Sequence, residues 1–440
     1  MKKMRFAIGI TLMVMLLAAT FGISFAANVP NEYSNQIDWK QFSGQQIDVL
    51  FSIHPWEENL IPLIPQFEEL TGIKVRVTKL PEQEYLTKVP ADLTAGIFAF
   101  DVFMSQYYDA PKYTMEKWTQ PLDEFMNNSK LTDPAWYDWE DFFAGARAVA
   151  TIGAEYKDRI PITAEAQVLI YRKDILEKLG LKVPETFDEL LATAKTIKEK
   201  ENIAGITLRG GPELWWPMYG FVRSFGGEYI DLKNNASKIN NPESKDAVDM
   251  YIKCLAVTPP GTTSTGWDEI NAAILTGKAA MFLDSSVIYS RLEDPKVSQV
   301  AGKMGIAPFV KGPAGRIAHS HYWSISMNPK AKNKEAAWLF IEWATSKQVQ
   351  LQLAMKGVLS PRNSIWEDEN FGKVFSKDFI ESVKETLKTA VISPANMRFF
   401  EMMDILRAAV QEAFSDQSEP DLNGVNEKWQ KMLDDMKAGK

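Results

Sequence analysis

The sequence predicts an α/β fold of two modules, each a mostly parallel sheet flanked by helices. Three observations predict it. Apolar runs of strand length alternate with longer amphipathic runs. Apolar residues make up 45% of the chain, with 13 Trp and 24 Phe to fill cores. A chain of 440 residues exceeds what one hydrophobic core usually serves. The elements follow in order. Residues 28–44 read as a polar lead-in, and 47–53 (IDVLFSI) as a buried strand. Residues 58–70 read as a helix despite Pro62 and Pro65, ending before Gly72. Residues 73–77 alternate as a second strand, and 99–104 (AFDVFM) form a third. Strand and helix in alternation is the order of a parallel sheet covered by helices. Residues 168–171 (VLIY) open the second series. Thr186 to Glu189 is a capping box, opening a helix over 189–200. Residues 204–208 read as strand, a long helix follows Lys334, and 401–437 reads as helices broken at Glu419-Pro420.

Residues 1–27 read as a cleavable signal peptide. Lys2, Lys3 and Arg5 precede the apolar run 6–21, and Ala26 and Ala27 supply small residues for cleavage. A retained membrane anchor is the alternative, but the run is short for a span of roughly 20 residues. No cysteine stands at the junction to take a lipid, so a soluble periplasmic chain is expected. The one cysteine, Cys254, lies in the apolar stretch 250–257 and reads as buried; no intramolecular disulfide is possible. The 49 basic and 57 acidic residues become 46 and 57 once the leader's three basics are removed, a net charge of −11. That balance disfavours nucleic acid as a partner.

Catalytic motifs are sparse. Gly277-Lys278 lacks the glycine and Ser/Thr of a phosphate loop. There is no GxSxG elbow, HExxH helix or CxxC pair, and no cofactor is expected. The acidic pairs Glu57-Glu58, Glu68-Glu69 and Asp434-Asp435 read as solvated helix faces. Aromatics are the stronger signal. Trp215-Trp216 lies in a turn-rich stretch with Gly210, Gly211 and Pro217. Flat rings stack on the C–H faces of sugars while polar groups take the hydroxyls; simple core is the alternative. Gln106-Tyr107-Tyr108-Asp109 follows the third strand, and His54-Pro55-Trp56-Glu57 follows the first. Residues just past the carboxyl ends of parallel strands line ligand crevices.

Several stretches carry a resemblance. They are FEELTGIKVRV (67–77), IPITAEAQVLIYRKDILEKLGLKVPETFDELL (160–191) and ILTGKAAMFLDSS (274–286). GIAPFVKGPAG, SISMNPKAKNKEAAWLFIEW and GVLSPRNS follow later. Together they resemble the sugar-type bacterial extracellular solute-binding proteins, the maltose-binding-protein-like family of ABC importers, over about 47–407. The resemblance implies two lobes around a hinge. Lobe one would be 45–162 with 312–360, and lobe two 163–311 with 361–440. Ligand would lie in the cleft, and the closed form would dock on a membrane permease. A non-catalytic monomer is implied. Glu165 aligns with a sugar-binding Glu, and His54 falls where the family has an Asp. Tyr108 and Asp109 fall on its Asp-Arg pair, and Asp284 replaces an Asn. Val287 and Ser105 stand where stacking Trp residues would be, which favours a ligand smaller than a maltodextrin. A small sugar or sugar alcohol fits, with Trp56, Trp215, Trp216 or Trp323 as platforms. Arg362 and Arg398 are the arginines that would suit a sugar acid.

The stretch HSHYW (319–323) holds two of the 3 histidines. On a strand, His319, His321 and Trp323 share a face. With His54 across the cleft, three readings stay open: a zinc site, a grip on hydroxyls, or strand histidines satisfied by backbone. The hydroxyl grip is the one expected, with His321 and Trp323 touching ligand. The zinc reading sustains an alternative function, a secreted metal-dependent carbohydrate hydrolase using the three histidines.

Overall fold

The computed structural model describes residues 32–97 and 99–439. The leader-like segment 1–27 lies outside the described residues. The strands in chain order are β1 (Gln46–Ser52), β2 (Lys74–Leu80), β3 (Val102–Gln106), β4 (Ile160–Pro161) and β5 (Glu165–Arg172). They continue as β6 (Ile230–Asp231), β7 (Ala236–Ser237), β8 (Met281–Ser285), β9 (Met304–Pro308), β10 (Ser320–His321) and β11 (Trp323–Met327).

Two sheets define two lobes. The first runs β2-β1-β3-β11-β4. β1 pairs in parallel with both β2 and β3, and β11 is antiparallel to β3 and β4. β1 is flanked on both sides, so its interior reads as an apolar run. β2 lies at the edge, alternates in exposure, and presents Lys74, Arg76 and Lys79, which discourage edge-to-edge pairing. The helix Lys334–Ala344 packs against this sheet with Trp338, Phe340 and Trp343 buried. Phe340 stacks on Phe51 and meets Phe67 edge-on, joining helix to sheet.

The second sheet differs from the parallel expectation. β5 is its centre, and β8, β9 and β10 all pair with it antiparallel. Among the described residues, parallel pairing here is confined to isolated bridges, Ala204–Ala279 and Thr207–Phe282 at the β8 edge, Thr186–Lys311 and His319–Val391. The cause is topological: β5 leaves the crossing between lobes, and β8 and β10 run back toward it. That return sets Ser285 opposite Gln167 and His321 opposite Glu165. The expected capping box is formed: Glu189 N–H donates to the Thr186 hydroxyl and Thr186 N–H to the Glu189 carboxylate, opening the helix Phe187–Glu201. The helices Phe399–Asp416 and Leu422–Lys437 close this lobe, locked by Trp429 Nε1–H donating to the Met402 carbonyl.

β4 lies in the first sheet and β5 in the second, so the chain crosses at 162–164. It crosses back at Tyr322, between β10 and β11, ten residues beyond the expected return at 312. A third segment of the seam is 359–362, where Ala164 N–H bonds the Leu359 carbonyl and Phe143 N–H bonds that of Pro361. Among the described residues no helix is long and apolar enough to cross a membrane.

Candidate functional site

A cavity with about 460 Å³ of atom-free space lies between the lobes. From the first lobe it is lined by His54, Glu82, Gln106 and Trp323. From the second it is lined by Glu165, Arg209, Glu213, Trp215, Trp216, Trp267 and Ser285, with Phe400 at one side. A larger chamber adjoins it past Trp215 and Trp323 and holds Asp109, Ser105 and Tyr113.

His54 ends the turn after β1 in an extended conformation and caps the helix Pro55–Leu60. Its Nδ1 accepts the Trp56 backbone N–H at 3.1 Å. With Nδ1 an acceptor, the neutral ring carries its proton on Nε2, which donates to Glu165 Oε1 at 3.2 Å. Glu165 stands at the start of β5, directly after the crossing. Its Oε2 accepts the Ser285 hydroxyl at 2.5 Å and its Oε1 that of Thr163 at 3.2 Å. Burial raises its pKa, but the His54 hydrogen bond, the nearby imidazoles and Ser285 more than offset this and bring it to about 2. A fixed carboxylate thus joins the lobes at the cavity floor.

The histidines of HSHYW divide. His319 is fully buried. Its Nδ1 donates to the Trp216 carbonyl at 2.9 Å, and its Nε2 accepts the Tyr107 hydroxyl at 2.9 Å. Burial lowers its pKa to about 3. It is the satisfied-core case. His321 lines the cavity. Its ring stacks on Tyr108 at 5.4 Å and meets Trp323 edge-on at 5.6 Å, and its Nδ1 lies 3.3 Å from the Tyr108 hydroxyl. Burial lowers its pKa to about 4, against the opposing charge of Glu165. Both rings are therefore neutral at pH 7. Among the described residues no three His, Cys, Asp or Glu side chains are placed to hold a metal ion. The zinc site and the hydrolase built on it have no geometric support.

The second-lobe wall is organised by Arg209, which the sequence reading did not single out. It follows the strand-like 204–208. Its Nε and Nη2 donate to Asp284 at 3.0 and 2.8 Å, and its Nη1 donates to Glu213 at 2.7 Å. The guanidinium lies 5.2 Å from the Trp216 ring centre and 5.1 Å from that of Trp267. Burial would lower its pKa, but the Asp284 and Glu213 charges hold it well above the usual value. Gly210 and Gly211 permit this wall to form. A Cβ at Gly210 would fall 2.4 Å from the Thr262 carbonyl oxygen, and one at Gly211 2.7 Å from Ser264 backbone. Glu213 then takes a left-handed φ of 59°, a conformation costing a non-glycine residue on the order of 1 kcal/mol.

Several expected site residues stand elsewhere. Trp56 is fully buried, edge-on to Phe51 at 5.4 Å, because the His54 cap begins a helix that turns its ring into the core. Tyr107 is buried, with its hydroxyl on His319 and Ser393. Tyr108 lies behind His321, stacked between it and Phe399. Asp284 is fully buried and reaches the cavity only through Arg209. Arg362 is buried at the seam, donating to the carbonyls of Thr345, Asp138 and Tyr137. Asp109 lines the adjoining chamber, where burial, opposed by Arg159, raises its pKa to about 6. His54, Glu165, Trp215, Trp216, His321 and Trp323 line the cavity together. Glu82, Gln106, Glu213, Trp267, Ser285 and Phe400 join Arg209 as cavity residues that were not assigned. For Gln106 and Arg209 the strand-end rule was the available signal. Glu82, Trp267 and Phe400 carry no local signal.

Comparison with known proteins adds the relatives. The family model described as bacterial extracellular solute-binding protein matches residues 55–351. An erythritol/L-threitol-binding protein of Mycolicibacterium smegmatis is 28% identical over 431 residues, spanning 93% of this chain and 90% of the relative. A mannitol-binding protein of Pseudomonas aeruginosa is 28% identical over 292 residues, 64% of each chain. An ABC transporter solute-binding protein from Agrobacterium radiobacter K84, solved with ribitol, superposes with a TM-score of 0.80 at 26% identity. That alignment covers 89% of this chain and 99% of the other.

Proposed function

Because the chain belongs to the bacterial extracellular solute-binding protein family, we propose that it is the ligand-capturing subunit of an ABC importer for a small neutral polyol. Erythritol/L-threitol, mannitol and ribitol are the ligands named for the three relatives described above, and they supply the class proposed here. The observation that carries this reading is the Glu165 network. A carboxylate held by His54 from one lobe and Ser285 from the other lines the same cavity as Trp215 and Trp323. Carboxylate, imidazole and amide groups accept and donate to hydroxyls, while the indole faces cover the carbon chain. Glu165, His54, His321, Gln106, Trp215 and Trp323 are the proposed contacts. Ligand would draw the lobes together by a hinge motion at 162–164, Tyr322 and 359–362. The exported, monomeric protein would then deliver its ligand to a membrane permease. Asp109 in the adjoining chamber would meet the far end of a longer ligand.

The test is a thermal-shift screen on ligand-stripped protein. The panel holds erythritol, L-threitol, ribitol, D-mannitol and common mono- and disaccharides, each with zinc or EDTA. A polyol at a hundred times its Kd should stabilise the fold by about 2.7 kcal/mol. That shift should be indifferent to EDTA. No response to any polyol, or a response to zinc alone, would overturn the reading.

A further inference from the structure

The cavity has a charge balance that bears on which polyhydroxylated compounds it admits. Among the described residues Arg209 is the one Lys or Arg lining it, Lys112 and Arg407 standing in the adjoining chamber. Three of its N–H groups already point at carboxylates, two at Asp284 and one at Glu213. The guanidinium carbon also lies 5.2 Å from the Trp216 ring centre and 5.1 Å from that of Trp267. One cation is therefore met by two anions before any ligand arrives. Glu165 adds a further carboxylate, itself held by neutral donors. Across the cleft, Glu82 opens the helix Glu82–Thr94 and faces the same space. Its charged neighbours are Glu213, Arg209, Glu165 and Asp268, three acids and one base. Burial first, and Glu213 next, push its carboxyl well above the ordinary range.

We propose that the closed cavity rejects sugar acids, and that Glu82 is the specificity-determining residue that enforces the rejection as the lobes meet. This rests on the polyol reading above and narrows it. A polyol offers only hydroxyls, which accept from a protonated carboxyl and donate to an ionised one. Its one-end-oxidised acid brings a full negative charge into a space where the single cation is outnumbered. Like charges brought together in a desolvated site discriminate strongly against the wrong ligand. Glu213, Arg209 and Asp284 belong to the second lobe, whereas Glu82 belongs to the first. The rejection is thus exerted on closure, when Glu82 is carried onto the other three. Arg209 serves here as a positioning residue for Glu213 and the two indoles.

The experiment is calorimetric titration of ligand-stripped protein with erythritol, ribitol and D-mannitol, and with erythronate, ribonate and mannonate. For whichever polyol binds, the matched acid should bind at least about 100-fold more weakly at pH 7.5. Glu82→Gln should narrow that ratio by about tenfold or more, and Glu82→Asp should restore it. Glu213→Gln, which frees one edge of Arg209, should narrow it as well. A purely structural role for Glu82 would weaken polyol and acid alike and leave the ratio fixed, which would overturn the proposal. Equal wild-type affinity for a polyol and its acid would overturn it outright while leaving the polyol reading intact. Failure of every polyol and every acid to bind would overturn the polyol reading, and this inference with it.

Discussion

Arg209 and Arg362 are both buried, and both lie over aromatic rings. Their edges differ. Arg209 spends its N–H groups on the carboxylates of Asp284 and Glu213. Arg362 spends its own mainly on backbone carbonyls, those of Thr345, Asp138 and Tyr137, with Asp141 Oδ2 at 3.3 Å. Its guanidinium rests 4.0 Å from the Phe142 ring centre. An arginine paired with carboxylates leaves net negative charge beside a cavity. An arginine paired with carbonyls satisfies a chain crossing and leaves nothing for a ligand. The first belongs to selection and the second to the seam.

The largest expected effect tests the seam. Arg362→Met strands the three carbonyls and Asp141 in a dry site, and should cost about 3–5 kcal/mol of unfolding free energy. Denaturant unfolding measures it, and the Kd of the folded fraction should change little. A variant of unchanged stability but weak binding would move Arg362 into the ligand site and collapse the comparison. Arg209→Met comes next. It leaves Asp284 buried without its partner and loosens Trp216 and Trp267, so about 2–4 kcal/mol should be lost together with polyol binding. Adding Asp284→Asn should recover stability but not binding. If the double variant bound as well as wild type, Arg209 would have no positioning role.

How much of this was legible in sequence depends on distance along the chain. β1, β3 and β5 and the capped helix after Thr186 declared themselves because local pattern and local capping specify them. His54 was legible as a strand-end residue. Trp56, two positions on, was misplaced because the His54 cap sets the helix phase, and the cap is an imidazole rather than a usual Ser, Thr, Asp or Asn. His319 and His321 share a face in the pattern but not a role. The difference lies in Tyr107, Ser393 and the Trp216 carbonyl, which reach His319 from distant parts of the chain. The antiparallel second sheet was not legible either, since periodicity reports burial and not strand direction. Trp267 becomes a neighbour of Arg209 only through packing within the second lobe, and Glu82 only where the two lobes meet, for which a linear chain carries no local mark.

The paired histidines sharpen the comparison through pH. Their folded pKa values, about 3 for His319 and about 4 for His321, lie below the ordinary 6.5 because burial disfavours the cation. As pH falls through 6.5 the unfolded chain takes up protons that the fold refuses. The stability they confer is full above 6.5 and is lost as pH drops toward 4. At pH 5 each should account for about 2 kcal/mol of loss. Glu165, lowered to about 2, begins to lose its contribution only below its ordinary 4.5, so the two effects separate in pH. Thermal unfolding at pH 7 and pH 5 tests this. His321→Gln should remove roughly half of the slope. A midpoint that is flat over this interval would mean that the imidazoles are solvated in the fold.

The smallest effect has the opposite sign and isolates the cleft. Glu82 has a raised pKa, so bringing the lobes together shifts it part-way toward its protonated form, against the charge with which it rejects an anion. Its penalty is absent below its ordinary 4.5 and grows as pH rises toward the folded value. Closure should then take up a fraction of a proton, and polyol affinity should weaken about two- to fivefold between pH 5.5 and pH 8. Arg209 and Glu213 bear on the same proton, the first lowering and the second raising the Glu82 pKa. Glu82→Gln should flatten the profile, because an amide has no charge to suppress. The ligand-free protein should show no matching dependence, since an open cleft returns Glu82 to water. Titrations in two buffers of different ionisation enthalpy would count the proton directly. An uptake of zero in wild type would mean that Glu82 stays solvated when the lobes meet, and that Arg209, Asp284, Glu213 and Glu165 set the charge of the cavity without it.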